Sequence, residues 1–170
     1  MSAMENAVTL RPATMEDAKM VFCWRNDPFI VSRGTSQRTV AWDEHLQWFY
    51  ETVSGSERKM WIVLVNGEPA GQVRFDRVHQ DRCTISAYLL REFTGHGWGV
   101  EAIRGGCDTL FSEWPGEEIV ACVREDNASA RVGFRKAGFV EMDPAGRCDA
   151  RHFALVLKRS FCCATETAKL

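Results

Sequence analysis

The pattern of apolar and polar residues divides the chain into segments of two kinds, separated by turn residues. Segments in which apolar residues alternate with polar ones, or run continuously, favour β-strands. They cover residues 8–11, 59–65, 69–78, 82–90, 118–123, 139–142 and 151–157. Segments in which apolar residues recur every three or four positions favour helices. They cover residues 15–26, 40–53, 97–114 and 127–137. The order β-α-α-β-β-β-α-β-α-β-β predicts an α/β (α+β) domain with one mixed central sheet.

Turn residues set the expected limits of these elements. Thr14 is a typical residue to cap the first helix, and Pro28 is expected to end it. Asn66-Gly67 between two strands is a strong signal for a tight hairpin. Gly138 is expected to end the last helix.

Length and composition fit one folded domain rather than a disordered chain. The chain has 170 residues, 45% of them hydrophobic, and a formal net charge of −2. This near-neutral charge argues against nucleic acid as a partner. No apolar run approaches the roughly twenty residues of a membrane span, and no secretory signal is visible, so no membrane association is expected. We expect one domain over residues 1–158 and a loosely ordered tail over residues 159–170.

The cysteines are expected to be free thiols. There are seven, an odd number, and none of them form a C-x-x-C pair. We therefore predict neither a disulfide framework nor a metal site, and a cytoplasmic location is the simplest expectation. No role is assigned to the adjacent Cys162 and Cys163.

A glycine-rich turn carries the first chemical argument. Gly95, Gly97 and Gly99 lie between a predicted strand and a predicted helix. Glycine allows close approach of a ligand, and a helix N-terminus offers free N–H groups, so the turn fits a bound pyrophosphate. A glycine turn without a ligand is the plain alternative. A dinucleotide site fits less well, because its fingerprint follows a first strand and is accompanied by a later acidic residue.

Residues 88–99 resemble the acetyl-CoA-binding motif of the GCN5-related N-acetyltransferases (GNAT). That motif has Arg or Gln, two residues, Gly, one residue, and Gly or Ala. Thr94, Gly97 and Gly99 occupy these positions, so threonine replaces the Arg or Gln. Residues 127–139 resemble the second signature of the family, and residues 10–17 resemble its first strand and helix. The resemblance covers residues 8–158.

The resemblance implies acetyl-CoA as cosubstrate and no metal. The strand before the glycine turn is expected to separate from its neighbour at a bulge and form a V-shaped opening. Leu89 would bind pantetheine through its main chain, and the Ala87 N–H would point at the thioester carbonyl. The residues expected at the coenzyme are Leu89, Thr94, Gly95, His96, Gly97, Trp98, Gly99, Val100, Asn127 and Phe134. For Asn127, a helix N-cap is the alternative role. Arg104 and Lys136 are further candidates for the adenosine phosphate.

The acid and base of the reaction stay open at this stage. Many family members carry a tyrosine as proton donor where this chain has Phe134. Water, or the hydroxyl of Tyr88 or Ser86, could replace it. Some relatives carry a glutamate base where this chain has Cys83. The other titratable candidates for the base are His45, His79, Glu125 and Asp126.

The acceptor is a small-molecule amine if the closer resemblance holds. Residues 24–27 and 44–49 resemble a branch of the family that acetylates nucleotide-linked amino sugars, as in pseudaminic-acid assembly. Arg25, Arg33 and Arg38 could face a diphosphate, while Trp48 or Phe49 could stack on a base or sugar. His45 is a further candidate on the acceptor side. Helix packing and solvated arginines are the alternative.

Three functions are therefore weighed. The first is acetylation of a small amine, with an amino-sugar nucleotide as the favoured acceptor and a homodimer as a common assembly in similar enzymes. The second is acetylation of a protein N-terminus of the ribosomal-protein type. The third is a CoA-binding module without catalysis, which Phe134 and Thr94 favour.

Overall fold

The computed structural model describes residues 7–160. Seven strands are present in this range: β1 Val8–Pro12, β2 Arg58–Val65, β3 Glu68–His79, β4 Arg82–Leu89, β5 Glu118–Arg124, β6 Val140–Met142 and β7 His152–Lys158. The α-helices of the same range are α1 Ala18–Arg25, α2 Pro28–Arg33, α3 Trp42–Ser54, α4 Trp98–Glu113 and α5 Ala128–Lys136. Short 3₁₀ turns lie at Met15–Asp17 and Arg91–Phe93.

The strands form one mixed sheet in the order β1-β2-β3-β4-β5-β7-β6. Every neighbouring pair is antiparallel except β4 and β5, which are parallel. The β2–β3 hairpin turns at Asn66 and Gly67, whose φ angles of 51° and 84° suit an Asn-Gly pair. The predicted α/β (α+β) fold class and the hairpin are confirmed.

Each face of the sheet is covered by a hydrophobic core. On one face Val73 and Phe75 pack with residues of α4 and α5. On the other face Ile62 packs with Val21 of α1 and Phe49 of α3. Helix α4 lies so close to the sheet that a Cβ on Gly106 would come within 2.8 Å of a methyl group of Val73. The helix that follows the glycine turn is therefore held firmly against the sheet.

The parallel strands β4 and β5 pair along only part of their length. Their register joins Arg82 to Glu118, Cys83 to Ile119 and Thr84 to Val120, and pairing stops there. We call the separated region, residues 85–89 of β4 and 121–124 of β5, the β4–β5 gap. The predicted V-shaped opening is confirmed. The expected bulge in β4 is not seen, because β4 pairs with β3 without a shift from Leu89 to Cys83, and the irregularity lies at Arg77–His79.

Helix α2 was not predicted, because Pro28 was expected only to end a helix. The Asp27 side chain accepts a hydrogen bond from the Phe29 N–H at 2.8 Å and so caps a new helix. Proline is well suited to the first position of a helix, where its missing N–H has no intrahelical partner. Pro28 therefore separates α1 from α2 and starts the second one.

The structure corrects the expectation that all cysteines are free. Cys122 of β5 forms a disulfide with Cys148, while Cys23, Cys83 and Cys107 are free. The bridge closes a loop across the β6–β7 connection, a contact that sequence spacing does not reveal. Cys122 and Cys148 therefore do not support a reducing compartment. Cys162 and Cys163 lie outside the described residues.

The C-terminal boundary also differs from the expectation. Arg159 was assigned to the loose tail, yet its N–H donates to Glu117 O at 2.8 Å and its guanidinium donates to Phe111 O at 2.9 Å and Gly116 O at 3.1 Å. The rest of the predicted tail, from residue 161, lies outside the described part of the chain. No helix within residues 7–160 is long and apolar enough to cross a membrane.

Candidate active site

A cavity of about 540 Å³ opens along the β4–β5 gap. Its walls come from the gap strands, the glycine turn before α4, the first turns of α5, and α2. Most of the predicted coenzyme residues line it, namely Leu89, Thr94, Gly95, Gly97, Gly99, Val100, Asn127 and Phe134. Ala87, Tyr88 and Arg33 line it as well. The structure therefore brings residues that are far apart in sequence to one opening.

The edge of β4 presents unpaired backbone groups to the gap. The Leu90 N–H donates to Ala70 O at 2.8 Å, so the backbone groups of alternate residues from Leu90 back to Ser86 face β3. The N–H and C=O groups of Ala87 and Leu89 consequently face the opposite edge, where β5 does not pair with them. This edge can accept an extended, amide-bearing ligand in the manner of an added strand.

The start of α4 offers a site for an anion. Gly95 and Gly97 have φ angles of 84° and 80°, and a Cβ at either position would meet nothing within 4 Å. The first helical hydrogen bond runs from Glu101 N–H to Gly97 O at 3.3 Å, and no side chain caps this helix end. The N–H groups before Glu101 therefore lack intrahelical partners and carry the positive end of the helix dipole. These features fit the pyrophosphate of a coenzyme.

His96 and Trp98 are the two predicted coenzyme residues that do not line the cavity. Their rings stack on each other with centroids 4.3 Å apart, and Trp98 also packs against Phe93 at 6.4 Å. Thr94 lines the cavity, but its hydroxyl donates to Arg91 O at 2.6 Å. The turn therefore presents backbone and glycine surface to a ligand, while its larger side chains stabilise the turn itself.

Phe134 and Asn127 each combine a structural contact with a place on the cavity wall. Phe134 is buried and packs edge-on against Phe139 at 5.1 Å. Asn127 caps α5, since its side-chain oxygen accepts from the Ala130 N–H at 3.3 Å, and its amide nitrogen donates to Arg33 O at 3.4 Å. The N-cap alternative for Asn127 is confirmed.

The opposite wall of the cavity is a polar surface on β3 and β4, which we call the acceptor face. It consists of the side chains of Gln72, Arg74, Asp76, Thr84, Ser86 and Tyr88. The register places Gln72 opposite Tyr88, Arg74 opposite Ser86, and Asp76 opposite Thr84. The intervening residues of both strands point into the core beneath α4. Strand alternation therefore concentrates the polar residues on one side.

Tyr88 is poorly suited to donate a proton. Burial raises the pKa of its hydroxyl far above the usual value, although the positive charges of Arg74 and Arg25 act in the opposite direction. The hydroxyl oxygen is buried and has no hydrogen-bond partner within the described residues. Cys83 is equally unsuited to act as a base, because burial raises the pKa of its thiol to about 12.

The structure corrects the expected role of His45 as a base or acceptor ligand. His45 is fully buried and does not line the cavity. Its Nδ1 accepts from Arg25 Nη1 at 3.1 Å and its Nε2 donates to Ala18 O at 2.7 Å, which fixes the neutral tautomer. Burial lowers the pKa of the ring, and the charge of Arg25 lowers it further, against the bond to Ala18. His45 therefore orients Arg25 instead of exchanging a proton with a substrate.

Trp48 also differs from its expected role as a stacking surface. The guanidinium carbon of Arg25 lies 4.1 Å from the centre of its ring, and that of Arg74 lies 5.1 Å from it. The ring is occupied by two protein cations. Phe49, the other candidate for stacking, is fully buried in the core. Trp48 thus holds two arginines together at the edge of the acceptor face.

The remaining basic and acidic candidates have varied positions. Arg33 lines the cavity mouth with its guanidinium carbon 3.8 Å from the centre of the Phe29 ring. Arg38 pairs with Glu44 on the surface at 2.5 Å, and Arg104 donates to Lys136 O at 2.5 Å. Asp126 pairs with Arg124.

His79 and Glu125 do not line the cavity either. In the register of β3 and β4, His79 lies across from Arg82, at the end of the hairpin that is far from Leu89. Glu125 is exposed just after β5. Neither residue, in its present position, contacts the acceptor face.

Sequence reasoning missed Arg74, Asp76 and Arg124. The first two occupy the polar positions of an alternating strand, which was the available signal. Arg124 donates to Ser32 O at 3.0 Å and Gly34 O at 3.4 Å, and so ties the end of α2 across the cavity. No sequence pattern could indicate that contact, because α2 itself was not predicted.

Solved structures show the same fold. The aminoglycoside acetyltransferase AAC(6')-Ib in complex with coenzyme A and kanamycin has 22% identity and a TM-score of 0.77, over 89% of this chain and 95% of that one. A spermidine N-acetyltransferase from Vibrio cholerae in complex with CoA and spermine has 17% identity and a TM-score of 0.77, over 89% and 95%. The Campylobacter jejuni N-acetyltransferase PseH has 17% identity and a TM-score of 0.66, over 91% and 100%.

A comparison with proteins of curated function finds no match. The family described as "Acetyltransferase (GNAT) domain" matches residues 7–140. That match contains the glycine turn, the β4–β5 gap and the first residue of β6. Since it spans well over half of the sequence, the chain belongs to the GNAT family and is an acetyl-CoA-dependent N-acetyltransferase.

Proposed function

We propose that the enzyme acetylates a primary amine of a small molecule, with an amino-sugar nucleotide as its preferred acceptor. The observation that carries this proposal is the β4–β5 gap, where the unpaired backbone of Ala87 and Leu89 meets a cavity with a polar opposite wall. The gap suits the pantetheine arm, and the acceptor face suits a hydroxyl-rich molecule. The three structural neighbours, an aminoglycoside acetyltransferase with kanamycin, a spermidine N-acetyltransferase with spermine and the N-acetyltransferase PseH, support a small acceptor in general.

The proposed chemistry is direct attack of the amine on the thioester. When bound, acetyl-CoA supplies the activated acetyl group. The Ala87 N–H is the candidate donor to the carbonyl oxygen as negative charge develops there. The backbone amides of Gly95, Gly97, Gly99 and Val100 are the candidate pyrophosphate ligands.

Proton transfers in this proposal are assigned to water. The carbon–sulfur bond breaks as the carbon–nitrogen bond forms, and the departing thiolate takes a proton from water. The amine loses its proton to solvent through the open cavity. This assignment follows from the side chains present, since burial makes the Tyr88 hydroxyl a weak acid and His45 already uses both ring nitrogens.

Turnover with a panel of amines tests the acceptor class. Free thiol release from acetyl-CoA is measured with an amino-sugar nucleotide, an aminoglycoside, a polyamine and a short peptide. Preferred release with the amino-sugar nucleotide is expected. Release with peptides alone would instead indicate protein N-terminal acetylation. Tight CoA binding without any release would indicate a binding module without catalysis.

Gly97→Ala tests the pyrophosphate site. Gly97 lines the cavity, and its left-handed backbone opposes any L side chain by about 1–2 kcal/mol. We expect the affinity for CoA, measured by isothermal titration calorimetry, to fall at least tenfold. Gly67→Ala is the matched control, because Gly67 has a φ of 84° and equally open surroundings but lies in the β2–β3 turn. Equal affinities for the two variants would reject the pyrophosphate assignment.

We also propose a cytoplasmic location and a homodimer, which rest on the sequence resemblance. The free thiols of Cys23, Cys83 and Cys107 support a reducing compartment, while the Cys122–Cys148 disulfide counts against it. Cell fractionation tests the location. Sedimentation velocity tests the assembly, with a single species of monomer mass as the contrary result.

A further inference from the structure

Positive charge without a matching carboxylate gathers at one end of the acceptor face. Arg25 is half-buried, and it forms no ion pair with any carboxylate among residues 7–160. Its polar contact is the neutral Nδ1 of His45, and its other contact is the Trp48 ring. A half-buried guanidinium normally has an anionic partner, because a cation removed from water is costly.

Arg74 adds a second, incompletely paired cation beside it. Its guanidinium lies over the same Trp48 ring, and its Nε donates to Asp76 Oδ2 at 2.8 Å. Asp76 is shared, since its other oxygen receives Arg58 Nε at 3.0 Å. Two arginines therefore share this one carboxylate. The Nη groups of Arg74 make no hydrogen bond to the protein within the described residues.

Unused hydrogen-bonding groups lie beside the two arginines. The Tyr88 hydroxyl is buried without a partner, and so is the side-chain oxygen of Gln72, which lies opposite Tyr88 in the register. Both side chains line the cavity, as Arg74 does. The Trp24 ring packs edge-on against Tyr88 at 6.5 Å and fixes its position. The unpartnered Tyr88 hydroxyl can donate to an oxyanion in the cavity that Arg74 also lines, whereas the Gln72 oxygen can only accept.

We infer that Arg74 and Tyr88 form an oxyanion subsite to which Arg25 adds positive charge, so that the acceptor is an amine that also carries a phosphate or a carboxylate. This inference rests on the proposed function and narrows it. Arg74 donates through its free Nη groups, and Tyr88 donates its hydroxyl. Arg25 does not line the cavity, but it shares the Trp48 ring with Arg74 and so adds positive charge nearby. Polyamines and other purely cationic amines are disfavoured by the same charges.

A pair of sugars that differ by one phosphate tests the subsite in turnover. Glucosamine 6-phosphate is expected to have a kcat/KM at least about tenfold above that of glucosamine, chiefly through KM. Arg74→Met should remove this preference, so that the two sugars then have similar kcat/KM values. A similar advantage for a carboxylated amine over its neutral analogue would assign the anion to a carboxylate instead of a phosphate. A preference for spermidine over both sugars would overturn the subsite.

Arg58→Met is the matched control. It removes the other guanidinium that pairs with Asp76, but Arg58 neither lines the cavity nor contacts Trp48. The preference for the phosphorylated sugar is expected to survive this change. Loss of the preference in Arg58→Met to the same extent as in Arg74→Met would show that Arg74 merely maintains the charge balance of the sheet, and would overturn the proposal.

Binding of inorganic phosphate tests the subsite without any turnover. Titration of the CoA-saturated enzyme with phosphate, followed by the total tryptophan fluorescence to which Trp24 and Trp48 contribute, is expected to saturate. Tyr88→Phe and Arg74→Met should each weaken that binding several-fold, while Arg58→Met should not. Phosphate binding without acetylation of any amine would reject the proposed function and keep the subsite. Acetylation of neutral amines without phosphate binding would reject the subsite and keep the proposed acetyltransferase function.

Discussion

Polar side chains in and near the acceptor face differ in whether their hydrogen bonds are all made to other protein groups. Both ring nitrogens of His45 are bonded to protein groups, whereas the Tyr88 hydroxyl has no partner. Arg25 is intermediate, with one neutral acceptor and an aromatic ring as its contacts. A polar residue whose hydrogen bonds are all made to protein groups holds its neighbours in place. A buried polar group without a hydrogen-bond partner is a candidate to bind a ligand. This difference supports an orienting role for His45 and the recognition role that we propose for Tyr88.

The buried His45 makes folding stability depend on pH in a defined window. Its pKa is below the usual value near 6.5 in the folded state, so below pH 6.5 the unfolded chain binds a proton that the folded chain does not. The contribution of His45 to the free energy of unfolding is therefore fully present above pH 6.5, and it decreases as the pH falls through the pKa of the folded state. We expect urea unfolding at pH 5.5 to show a lower free energy of unfolding than at pH 7.5.

His45→Gln isolates this contribution. At pH 7.5 the free energy of unfolding of the variant should be about 1–3 kcal/mol lower, because the hydrogen bonds to Arg25 and Ala18 are disturbed. The decrease in its free energy of unfolding between pH 7.5 and pH 5.5 should be smaller than the decrease in the wild type. His79→Asn serves as control, since His79 is exposed at the end of β3. The pKa values of Asp17 and Glu118 are also lowered, but these carboxylates change the free energy of unfolding only below about pH 4.5. An unchanged pH slope in His45→Gln would contradict the assignment.

At this scale the sequence predicted residue positions better than residue roles. The helical spacing of residues 42–53 placed His45 on the packed side of α3, which was the alternative weighed for it. Its partner Arg25 lies twenty residues earlier on another helix, and no local pattern specifies that contact. The glycines were predictable because positive φ is a local property of the chain.

The elements were predictable where local periodicity decides them. Strands β2 to β4 and helix α4 lie within one or two residues of the predicted limits, since each has a long, regular apolar pattern. Helix α2 was missed because its six residues are too short for a period and begin at a proline. The disulfide was missed because it depends on where the β6–β7 connection lies against β5, which only the sheet pairing determines.

The Cys122–Cys148 disulfide is expected to stabilise the C-terminal half of the sheet. It spans 26 residues, for which chain-entropy arguments give about 3.5 kcal/mol. Cys148→Ser, or addition of a reductant, should therefore lower the Tm, measured by differential scanning calorimetry. Cys23→Ser is the control, because Cys23 is exposed and free. A non-reducing peptide map without a Cys122–Cys148 link, together with a Tm insensitive to reductant, would refute the bridge.

At the scale of the whole molecule, the gap divides the sheet into two unequal parts. Strands β1 to β4 carry α1 and α3 on one face, while β5 to β7 carry α5 on the other. Three residue pairs between β4 and β5 join these parts directly, and α4 contacts strands of the first part and helix α5. A ligand in the gap would add backbone hydrogen bonds where the sheet lacks them. Coenzyme binding is therefore expected to consolidate the fold as well as position the thioester.

Hydrogen exchange measured with and without CoA tests this coupling. The Ala87 and Leu89 amides face the gap unpaired, so they should exchange quickly in the free enzyme and become protected when CoA is bound. The amides of residues 97–100 should gain protection too, because the pyrophosphate would accept from them. At a CoA concentration one hundred times the Kd, the whole domain should gain about 2.7 kcal/mol. The Tyr88 amide, already bonded to β3, is the internal control and should change only with global stability. CoA that binds without selective protection of Ala87 and Leu89 would place the coenzyme outside the gap, and the proposed reaction geometry would fail with it.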